Sequence, residues 1–577
     1  MTRLYDDPAS FTEDMLLGFL DANARYVVGV PGGGVRATAT RPGKVAVVIG
    51  GGSGHYPAFC GVVGPGFADG AVVGNVFTSP SAAEAASVAR AVDTGAGVVF
   101  STGNYAGDVM NFGQAVDRLA GEGIEARFVV VTDDIASAPA AERAKRRGIA
   151  GDFTVFKAAS AAAEEDYDLD GVERVARHAN DRTRTLGVAF DGCTMPGARE
   201  PLFTVPEGHM GVGLGIHGEP GVADEKMPSA SELAAVLVDG VLGDAPEGAG
   251  TTVAAILNGL GRTKYEELFI VWGWVSRRLR EAGLEIVEPE VGELVTSLDM
   301  AGCSLTLMWL DDELERFWRA PADTPAYRKG ALASAAQGAR RSAGEAAAAA
   351  SGRSAAVAAP VDEQARACAG RVVTAIEAMA AVMADAEAEL GRIDAVAGDG
   401  DHGRGMVRGT SAAREAARAA RDDGAGAGSV LIAAGDAWAA RAGGTSGVLW
   451  GAALAALGRR LGDTGMPAPQ DVATGVGEAY DALTRLGGAR PGDKTMLDAL
   501  LPFSEALSDA VARGQSLARA WADAAERAET AARATADLRP KVGRARPLAE
   551  RSIGTPDAGA VSLAMCVRTV APVLVGS

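Results

Sequence analysis

The chain has 577 residues, of which 48% are hydrophobic and 5% aromatic, and its formal net charge is −19. This length exceeds what one hydrophobic core supports, so we expect several domains, and the composition excludes a largely disordered chain. The negative charge, without any cluster of basic residues, excludes nucleic acid as the main partner.

The five cysteines are widely spaced, without CxxC pairs or zinc-type spacing, and this predicts reduced, buried thiols. The N-terminal residues carry acids where a secretory signal needs basic residues. No uninterrupted apolar run reaches the length of about 18 residues that a membrane span needs. We therefore expect a cytoplasmic protein that does not act at a membrane.

Short β-branched runs alternate with helical patterns through the first half of the chain. Strands are predicted at KVAVVIG (44–50), GAVVGNVF (70–77), AGVVFSTG (96–103) and ARFVVVTDD (126–134). The spacing leaves room for crossover helices and predicts an α/β fold with a mostly parallel sheet. A second α/β block follows, with strands predicted at LGVAFDGC (186–193), TTVAAILNGLG (251–261) and LFIVWGWV (268–275).

The pattern changes after residue 336. Residues 337–364 form an Ala/Gly/Ser-rich tract, and we predict an interdomain linker there. Beyond it, apolar residues recur at helical spacing and few β-branched runs follow. The predicted organisation is an α/β domain over 1–336, with lobes of about 1–183 and 184–336, and an all-helical domain over 365–577.

An acid-rich loop lies near the start of the helical domain. Asp394, Asp399 and Asp401 are separated by few residues, among them glycines that weaken a helix. Converging carboxylates repel one another, and a site with few protein ligands and room for phosphate oxygens suits Mg²⁺. From this loop alone, a solvated acidic turn is an equally good interpretation.

Three further segments of the helical domain suit phosphate or nucleotide binding, because glycine lets backbone amides approach anionic oxygens. They are RAGGTSGV (441–448), GGARPGDKTM (487–496) and GRARPLAERSIGTPDAG (543–559). Additional donors in them are Thr445, Ser446, Lys494 and Arg544. There is no GxxxxGK[ST] motif, so a P-loop ATPase is excluded.

In the first half, loops rich in glycine follow predicted strands. GGGSGHYPAF (50–59) contains Ser53 and His55, and GNYAGDVMNF (103–112) contains Asp108. Because ligands bind at the carboxyl ends of parallel strands, we expect these residues to share a pocket. A third loop, GVGLGIHGEPG (211–221), carries His217; its GxGxxG match opens no helix after a clear strand, so no dinucleotide site is predicted.

Together and in this order, these motifs resemble the dihydroxyacetone kinase family over nearly the whole chain. The GGGSGH, NYAGDVMNF and GIHGEPG segments are similar to its substrate-binding DhaK part, and the acid-rich, GGTSG, PGDKTM, ERSIG and DAG segments to its nucleotide-binding DhaL part. The resemblance implies an α/β ketose-binding domain followed by an antiparallel helical barrel. Since both parts are fused on one chain, it also implies an ATP-dependent kinase, arranged as a homodimer.

The resemblance also implies roles for individual residues. His217 would hold the ketose covalently, with His55 and Asp108 as acid and base. The sugar would be lined by Gly52, Ser53, Gly54, His55, Gly103 and Asp108. Mg²⁺ would be held by Asp394, Asp399 and Asp401. ATP would be contacted by His402, Gly403, Arg404, Gly405, Thr445, Ser446, Gly487, Met496, Arg544, Asp557, Ala558 and Gly559.

Three positions depart from the family's motifs. Typical members have GHEPAH and KNYTGD, whereas here Tyr56, Phe59 and Gly103 replace a Glu, a His and a substrate-contacting Lys. Loss of the lysine enlarges the pocket and removes a donor, so we expect a four-carbon ketose, D-erythrulose first. Dihydroxyacetone is the alternative substrate, and a non-catalytic binding or regulatory homologue is the alternative of another class. An FMN-cyclising side activity, known in some family members, stays open.

Overall fold

The computed structural model describes residues 2–332, 339–350, 361–398, 400–442, 444–542 and 549–575. The chain forms two compact units, Met1–Arg353 and Ser354–Ser577. The first unit contains two large β-sheets, and the described part of the second is helical. The predicted order, α/β followed by all-helical, is confirmed.

The first sheet is built from six strands. They are β1 (Val27–Val30), β2 (Gly33–Arg36), β3 (Ala46–Ser53), β4 (Gly70–Val76), β5 (Val98–Gly103) and β6 (Ala126–Val131). Their order is β1-β2-β4-β3-β5-β6; the last four run parallel, and β1 and β2 form an antiparallel hairpin at one edge. Every residue of β3 and β5 is buried, as expected of parallel strands covered on both faces.

The second sheet also has six strands. They are β7 (Thr183–Asp191), β8 (His209–Val212), β9 (Ala223–Lys226), β10 (Thr252–Gly259), β11 (Glu285–Gly292) and β12 (Ala301–Trp309). Their order is β11-β10-β12-β7-β8-β9, and only β10 and β11 pair in parallel. The mostly parallel arrangement predicted for the first half therefore holds for the first sheet and not for the second.

Helices of the first unit surround these sheets. They are α1 (Phe11–Ala22), α2 (Ala82–Val92), α3 (Ala106–Gly121), α4 (Asp152–Glu164), α5 (Leu169–Arg182), α6 (Ala230–Gly243), α7 (Tyr265–Glu281), α8 (Asp312–Arg319) and α9 (Ala343–Ala350). A two-stranded ribbon consists of β13 (Ala322–Asp323) and β14 (Arg328–Lys329). Short 3-10 helices lie at Cys60–Val62 and Ala140–Lys145.

The strand predicted at 268–275 was wrong, because these residues belong to α7. Leu268, Val271 and Val275 are buried at the three- and four-residue spacing of one helix face. Phe269 and Ile270 are exposed on the opposite side. The run looks continuously apolar in sequence because the outer face of this surface helix is apolar as well.

Part of the predicted linker 337–364 packs against the first unit. Ala343–Ala350 forms α9, and its Ala346 and Ala350 are buried in the core beside α2. Small alanine side chains allow this close packing, so the tract is not a uniform linker. Residues 333–338 and 351–360 lie outside the described residues.

The second unit is a ring of helices. They are α10 (Glu363–Asp394), α11 (His402–Asp422), α12 (Ala427–Ala442), α13 (Gly444–Leu461), α14 (Pro469–Gly487), α15 (Leu497–Ala512), α16 (Leu517–Ala534), α17 (Ala549–Ser552) and α18 (Ala558–Val570). Short 3-10 helices lie at Thr535–Asp537 and Ala571–Leu574. From α10 to α16 each helix packs on the next, α16 packs on α18, and α18 packs back on α10. The closed ring surrounds an apolar cavity of about 480 Å³ lined by residues such as Ile376, Trp450 and Phe503.

Helix α10 is 32 residues long and largely apolar in composition. Among the described residues it is the one helix that could cross a membrane on these two criteria. However, its Val373, Ile376 and Met383 are buried in the core of the second unit. We therefore assign α10 to the core of the helical ring.

Candidate active site

Residues from both lobes of the first unit meet in one site. Strand β3 ends at Ser53, shortly before His55, and β5 ends at Gly103, shortly before Asp108 in the first turn of α3. His217 comes from the other lobe, in the loop between β8 and β9. Nε2 of His217 lies 3.1 Å from Nε2 of His55. The structure thus brings together two histidines that are far apart in sequence.

Each of these imidazole rings is oriented through its other nitrogen. Nδ1 of His55 lies 2.7 Å from the carbonyl oxygen of Thr296, and Nδ1 of His217 lies 3.0 Å from Oε1 of Glu219. Carbonyl and carboxylate oxygens only accept hydrogen bonds, so both Nδ1 atoms carry a proton. The two Nε2 atoms that face each other are consequently the ones available for chemistry.

Glu219 was not among the predicted site residues. Its Oε2 accepts the backbone N–H of His217 at 3.0 Å, and Arg147 lies 3.8 Å from the same oxygen. Burial would raise the pKa of Glu219, but the charge and hydrogen bond of His217 and the charge of Arg147 outweigh it and hold this pKa well below its usual range. An acid two residues after the histidine in GIHGEPG was the available sequence signal.

His55 is packed among aromatic rings. It stacks on Phe77 with 5.1 Å between ring centroids and meets Phe59 edge-on. Burial, followed by the charge of His217, lowers the pKa of His55 to about 3. His55 is therefore neutral near pH 7, and a proton passed to it is readily given to another group.

Asp108 has a buried carboxyl group, one oxygen of which makes no hydrogen bond within the described residues. Its Oδ1 has no hydrogen-bond partner within the part of the chain that the structure describes. Burial raises the pKa of Asp108 to about 6, although a hydrogen bond from Ser79 and the charge of His217 lower it. Such a group is ionised near neutral pH and can accept a proton from a hydroxyl group.

The residues predicted to line the sugar beside His55 are tightly packed. A Cβ added to Gly52 would lie 2.5 Å from the backbone nitrogen of Thr78. Gly54 has a φ of +102°, and a Cβ there would lie 2.8 Å from the ring of Phe77. Ser53 is buried, and its hydroxyl lies 3.0 Å from that of Thr12. Larger residues at positions 52 and 54 would displace the backbone and ring that support His55.

Gly103 lies close to Tyr105, an aromatic residue that contacts His217. A Cβ at this position would lie 3.0 Å from Cε2 of Tyr105 and 3.2 Å from the carbonyl oxygen of Gly148. The Tyr105 ring in turn meets His217 edge-on at 4.7 Å, and its hydroxyl donates to Gly148 at 3.0 Å. Tyr105 therefore occupies part of the space that the missing side chain at position 103 leaves.

Residues predicted to bind nucleotide lie at the N-termini of helices in the second unit. His402 begins α11, and its Nε2 lies 3.0 Å from the hydroxyl of Ser562 in the first turns of α18. A Cβ on Gly559 of α18 would lie 3.6 Å from Cβ of Met496, which precedes α15. Helix N-termini offer unpaired N–H groups and the positive end of the dipole, an arrangement that suits phosphate.

The other predicted nucleotide residues lie at helix ends of the same unit. Gly403, Arg404 and Gly405 belong to the first turn of α11, Thr445 and Ser446 to that of α13, Gly487 ends α14, and Asp557 caps α18 ahead of Ala558. Arg544 lies outside the described residues.

Lys494 differs from the phosphate donor suggested by its motif. Its Nζ donates to the carbonyl oxygens of Ser552 at 2.7 Å and Leu538 at 3.1 Å. Desolvation lowers the pKa of Lys494, against the charges of nearby aspartates. This lysine therefore holds the chain segments around it together.

Two of the three predicted Mg²⁺ ligands lie in the described part of the chain. Asp394 ends α10 and accepts the backbone N–H of His402 at 3.3 Å, and Asp401 is the exposed N-cap of α11. Asp399 lies outside the described residues, and those that are described contain no group of three or more metal-binding side chains. The carboxylate oxygens present are the hard donors that Mg²⁺ prefers, so their chemistry fits this ion.

Asp557 adds a further acid near the same place. Its Oδ1 accepts the backbone N–H of Ala560 at 2.7 Å and caps α18. Desolvation and the charges of Asp498 and Asp394 raise the pKa of Asp557 to about 6, although the Ala560 N–H and Lys494 lower it. Acids that disfavour one another's ionisation in this way are stabilised by a cation.

Comparison with known protein families agrees with this arrangement. Residues 17–326 match the Dak1 domain, and residues 396–572 match the DAK2 domain. The chain belongs to the dihydroxyacetone kinase family. The resemblance drawn from its motifs is thereby confirmed for both parts of the fused kinase.

Full-length relatives within the dihydroxyacetone kinase family are similar to this chain. It is 73% identical over 571 residues to the D-erythrulose kinase of Mycolicibacterium smegmatis, covering 99% of this chain and 98% of that protein. It is 55% identical over 578 residues to the L-erythrulose kinase of Pectobacterium atrosepticum, covering 100% and 97%. The crystal structure of the C. freundii dihydroxyacetone kinase with AMP-PNP and Mg²⁺ is 27% identical, covers 99% of both chains and gives a TM-score of 0.53.

Proposed function

We propose that this kinase transfers the γ-phosphoryl group of ATP to the terminal hydroxyl of D-erythrulose, giving D-erythrulose 4-phosphate. The observation that carries this proposal is the contact between His217 and His55 in a chain 73% identical to a D-erythrulose kinase. L-Erythrulose is the second candidate, because relatives 55% and 52% identical are L-erythrulose kinases. Dihydroxyacetone is the third candidate, because the chain belongs to the dihydroxyacetone kinase family.

The hydrogen bond between the two histidines needs one extra proton. Since both Nδ1 atoms are protonated, the Nε2 atoms attract each other only when one ring is an imidazolium. The pKa of His55 is about 3, so the proton belongs to His217 whenever this bond is made. The carboxylate of Glu219, 3.0 Å from Nδ1 of His217, balances the positive charge.

This proton is in place for the covalent step. As the ketone carbon approaches, the proton passes from Nε2 of His217 to Nε2 of His55 and then to the carbonyl oxygen. Nε2 of His217 forms a bond to the carbon, and the C=O group becomes C–OH. The alkylated imidazole keeps one positive charge beside Glu219, so proton and charge counts are conserved. Covalent attachment fixes a small ketose that offers few groups for recognition.

Asp108 would act in the second step. Its spare oxygen would accept the proton of the terminal hydroxyl as that oxygen attacks phosphorus. ATP would supply the phosphoryl group and Mg²⁺ would neutralise its developing charge when bound. The metal would be held by Asp394, Asp399 and Asp401, and the phosphates by the N-termini of α11, α13, α15 and α18.

The protein as a whole would be a cytoplasmic homodimer that binds a ketose and ATP and neither nucleic acid nor membrane. We also propose that residues 1–336 form the ketose-binding domain and residues 365–577 form the ATP-binding domain. The net charge of −19 supports small-molecule substrates over polyanionic partners.

The proposal is tested with purified protein, ATP and Mg²⁺ by measuring ADP release with D-erythrulose, L-erythrulose and dihydroxyacetone. We expect kcat/KM for D-erythrulose to exceed that for dihydroxyacetone by at least about tenfold, because a family member selective for a tetrose should gain binding from the extra carbon and hydroxyl. Phosphorus NMR of the product should place the phosphate on C4. A higher kcat/KM for dihydroxyacetone than for D-erythrulose rejects D-erythrulose as the preferred substrate. If no ketose causes ADP release, the result favours the non-catalytic homologue.

A further inference from the structure

Asp152, in the first turn of α4, is a buried acid whose Oδ1 makes no hydrogen bond within the described ranges. The residue is only 4% exposed. The backbone N–H groups before α4 are already used, because those of Ile149 and Gly151 donate to the carboxylate of Asp133 at 2.9 and 2.8 Å. A buried carboxyl oxygen without a partner is unfavourable for folding, which favours a bound ligand as the missing partner.

Asp152 lies beside the residues predicted to line the sugar. Strands β5 and β6 are parallel neighbours, and the segments after them carry Asp108 and Asp152 in the first turns of α3 and α4. A Cβ added to Gly148 would lie 2.5 Å from Cα of Gly103 and 2.6 Å from Oδ1 of Asp152. The carboxyl group of Asp152 is therefore close to the carboxyl end of β5, where a ligand is expected to bind.

The surroundings of Asp152 favour its neutral form. Burial, followed by the charges of Asp133 and Asp108, raises the pKa of Asp152 well above its usual range. A neutral carboxyl group donates one hydrogen bond and accepts others, and this combination suits a hydroxyl group, which also donates and accepts. The effect of Asp108 on Asp152 also indicates that the two carboxyl groups are near each other.

We propose that Asp152 hydrogen-bonds the C3 hydroxyl of D-erythrulose and thereby selects a four-carbon ketose. The inference rests on the proposed function, because it assigns a specificity-determining residue for that substrate. D-Erythrulose differs from dihydroxyacetone by the additional carbon C3 and its hydroxyl group. With C2 bound to His217 and the C4 hydroxyl directed to Asp108, C3 lies between these two contacts. Its hydroxyl would supply the partner that Oδ1 of Asp152 lacks among the described residues.

The experiment compares D-erythrulose with 1,4-dihydroxybutan-2-one, which has the same carbon chain but no C3 hydroxyl. Values of kcat/KM are measured for both ketones with ATP and Mg²⁺ by ADP release. We expect the wild type to favour D-erythrulose by at least about tenfold, because the analogue leaves the buried carboxyl group unpaired. In Asp152→Ala this ratio should fall to within about threefold of one, since the analogue loses less from the substitution than D-erythrulose does.

Further variants separate recognition of the hydroxyl group from structural damage. Asp152→Asn keeps the shape of the side chain and its ability to donate and accept hydrogen bonds, so its ratio should stay within about threefold of the wild-type ratio. Asp152→Val, which is closer in size to the wild type, replaces Asp152→Ala if thermal melting shows that the latter is unfolded. Asp170→Ala, an exposed change in the first turn of α5, is the matched control and should leave the ratio unchanged.

The outcomes distinguish this inference from the proposed function. A wild type that phosphorylates D-erythrulose without favouring it over the analogue overturns recognition of the C3 hydroxyl and leaves the kinase intact. The same holds if the wild-type preference persists in folded Asp152→Ala or Asp152→Val. A wild type that releases no ADP with D-erythrulose overturns the proposed function, and this inference with it.

Discussion

Nε2 of His217 lies 3.1 Å from Nε2 of His55, and each ring is fixed by a hydrogen-bond acceptor on its far side. The rings come from different lobes of the first unit, so the site exists only in the folded protein. Glu219 supplies a negative charge to His217, whereas His55 is surrounded by Phe77 and Phe59. Burial lowers the pKa of His55, whereas His217 has a carboxylate at its Nδ1, so the two rings lie in different electrostatic environments.

Replacing His217 by alanine removes the nitrogen that would bind the ketose. We expect kcat/KM for erythrulose to fall by at least about 10³-fold, since both covalent attachment and positioning are lost. Nucleotide binding, measured by calorimetry, should be unaffected. His209→Ala is the matched control. In the described part of the chain, the one hydrogen bond found for the His209 ring joins Nδ1 to the backbone oxygen of Glu207. Unchanged turnover in His217→Ala would remove the covalent role.

Glu219→Gln keeps a side chain of the same size but removes its charge. We expect kcat to fall by about ten- to a hundredfold, because the positive charge of the loaded His217 ring is no longer balanced. The fraction of protein carrying ketose should fall in parallel, while KM for ATP stays constant. Glu225→Gln, an exposed change on β9, is the control. If Glu219→Gln leaves both kcat and adduct formation intact, Glu219 only supports the loop.

Asp108 sets the expected pH dependence of activity. Its pKa of about 6 predicts that kcat/KM falls about tenfold per pH unit below that value, as the base becomes protonated. His55, with a pKa of about 3, should not contribute to this decline. Asp108→Asn should lose most of the activity and flatten the profile. An acidic limb of the profile that persists unchanged in residual Asp108→Asn activity would assign it to another group.

The same pKa has a consequence for stability. Because the folded-state pKa of Asp108 is raised above the unfolded value of about 3.9, the folded protein binds more protons between these two values. The contribution of Asp108 to stability is therefore present at low pH and is lost as pH rises from about 4 to about 6. Thermal melts should show Asp108→Asn stabilised relative to the wild type at pH 8 more than at pH 4. The opposite trend would contradict the raised pKa.

The chemistry-bearing loops could be predicted from sequence because glycine, histidine and acid occur together after recognisable strands. Ser53, His55 and Asp108 are predicted from this pattern, and His217 is predicted from its glycine-rich loop and the family resemblance. Glu219 was not, because its role depends on the geometry of a single loop.

Other features depended on long-range packing. The continuous apolar run 268–275 hid a helix whose outer face is also apolar, and Tyr105 fills space beside Gly103 that only the fold reveals. In the second unit, the N-termini of α11, α15 and α18 lie close together. The spacing of the motifs along the sequence did not predict this proximity.

Gly103→Lys tests the link between this position and substrate size. The new side chain would collide with Tyr105, whose ring contacts His217, and would leave less room for a longer ketose, so we expect kcat/KM for erythrulose to fall about tenfold more than that for dihydroxyacetone. Gly113→Lys on α3, where a Cβ has open space, is the control. Equal loss with both ketoses would show that position 103 does not select by size.

Asp394→Asn tests the metal site without relying on residues outside the described ranges. Loss of one carboxylate should raise the Mg²⁺ concentration required for half-maximal activity by about tenfold or more. Ketose loading onto His217 should be unaffected because it belongs to the other unit. The exposed Asp385→Asn on α10 is the matched control. An unchanged Mg²⁺ requirement would exclude Asp394 as a ligand.

The most direct measurement follows the carbonyl carbon of the substrate. Erythrulose labelled with ¹³C at C2 is added to the intact protein without ATP, and the bound carbon is observed by NMR. A covalent bond to His217 predicts a signal of a tetrahedral carbon that is present in the wild type and absent in His217→Ala. Bound erythrulose that keeps its ketone signal in the wild type would contradict covalent capture.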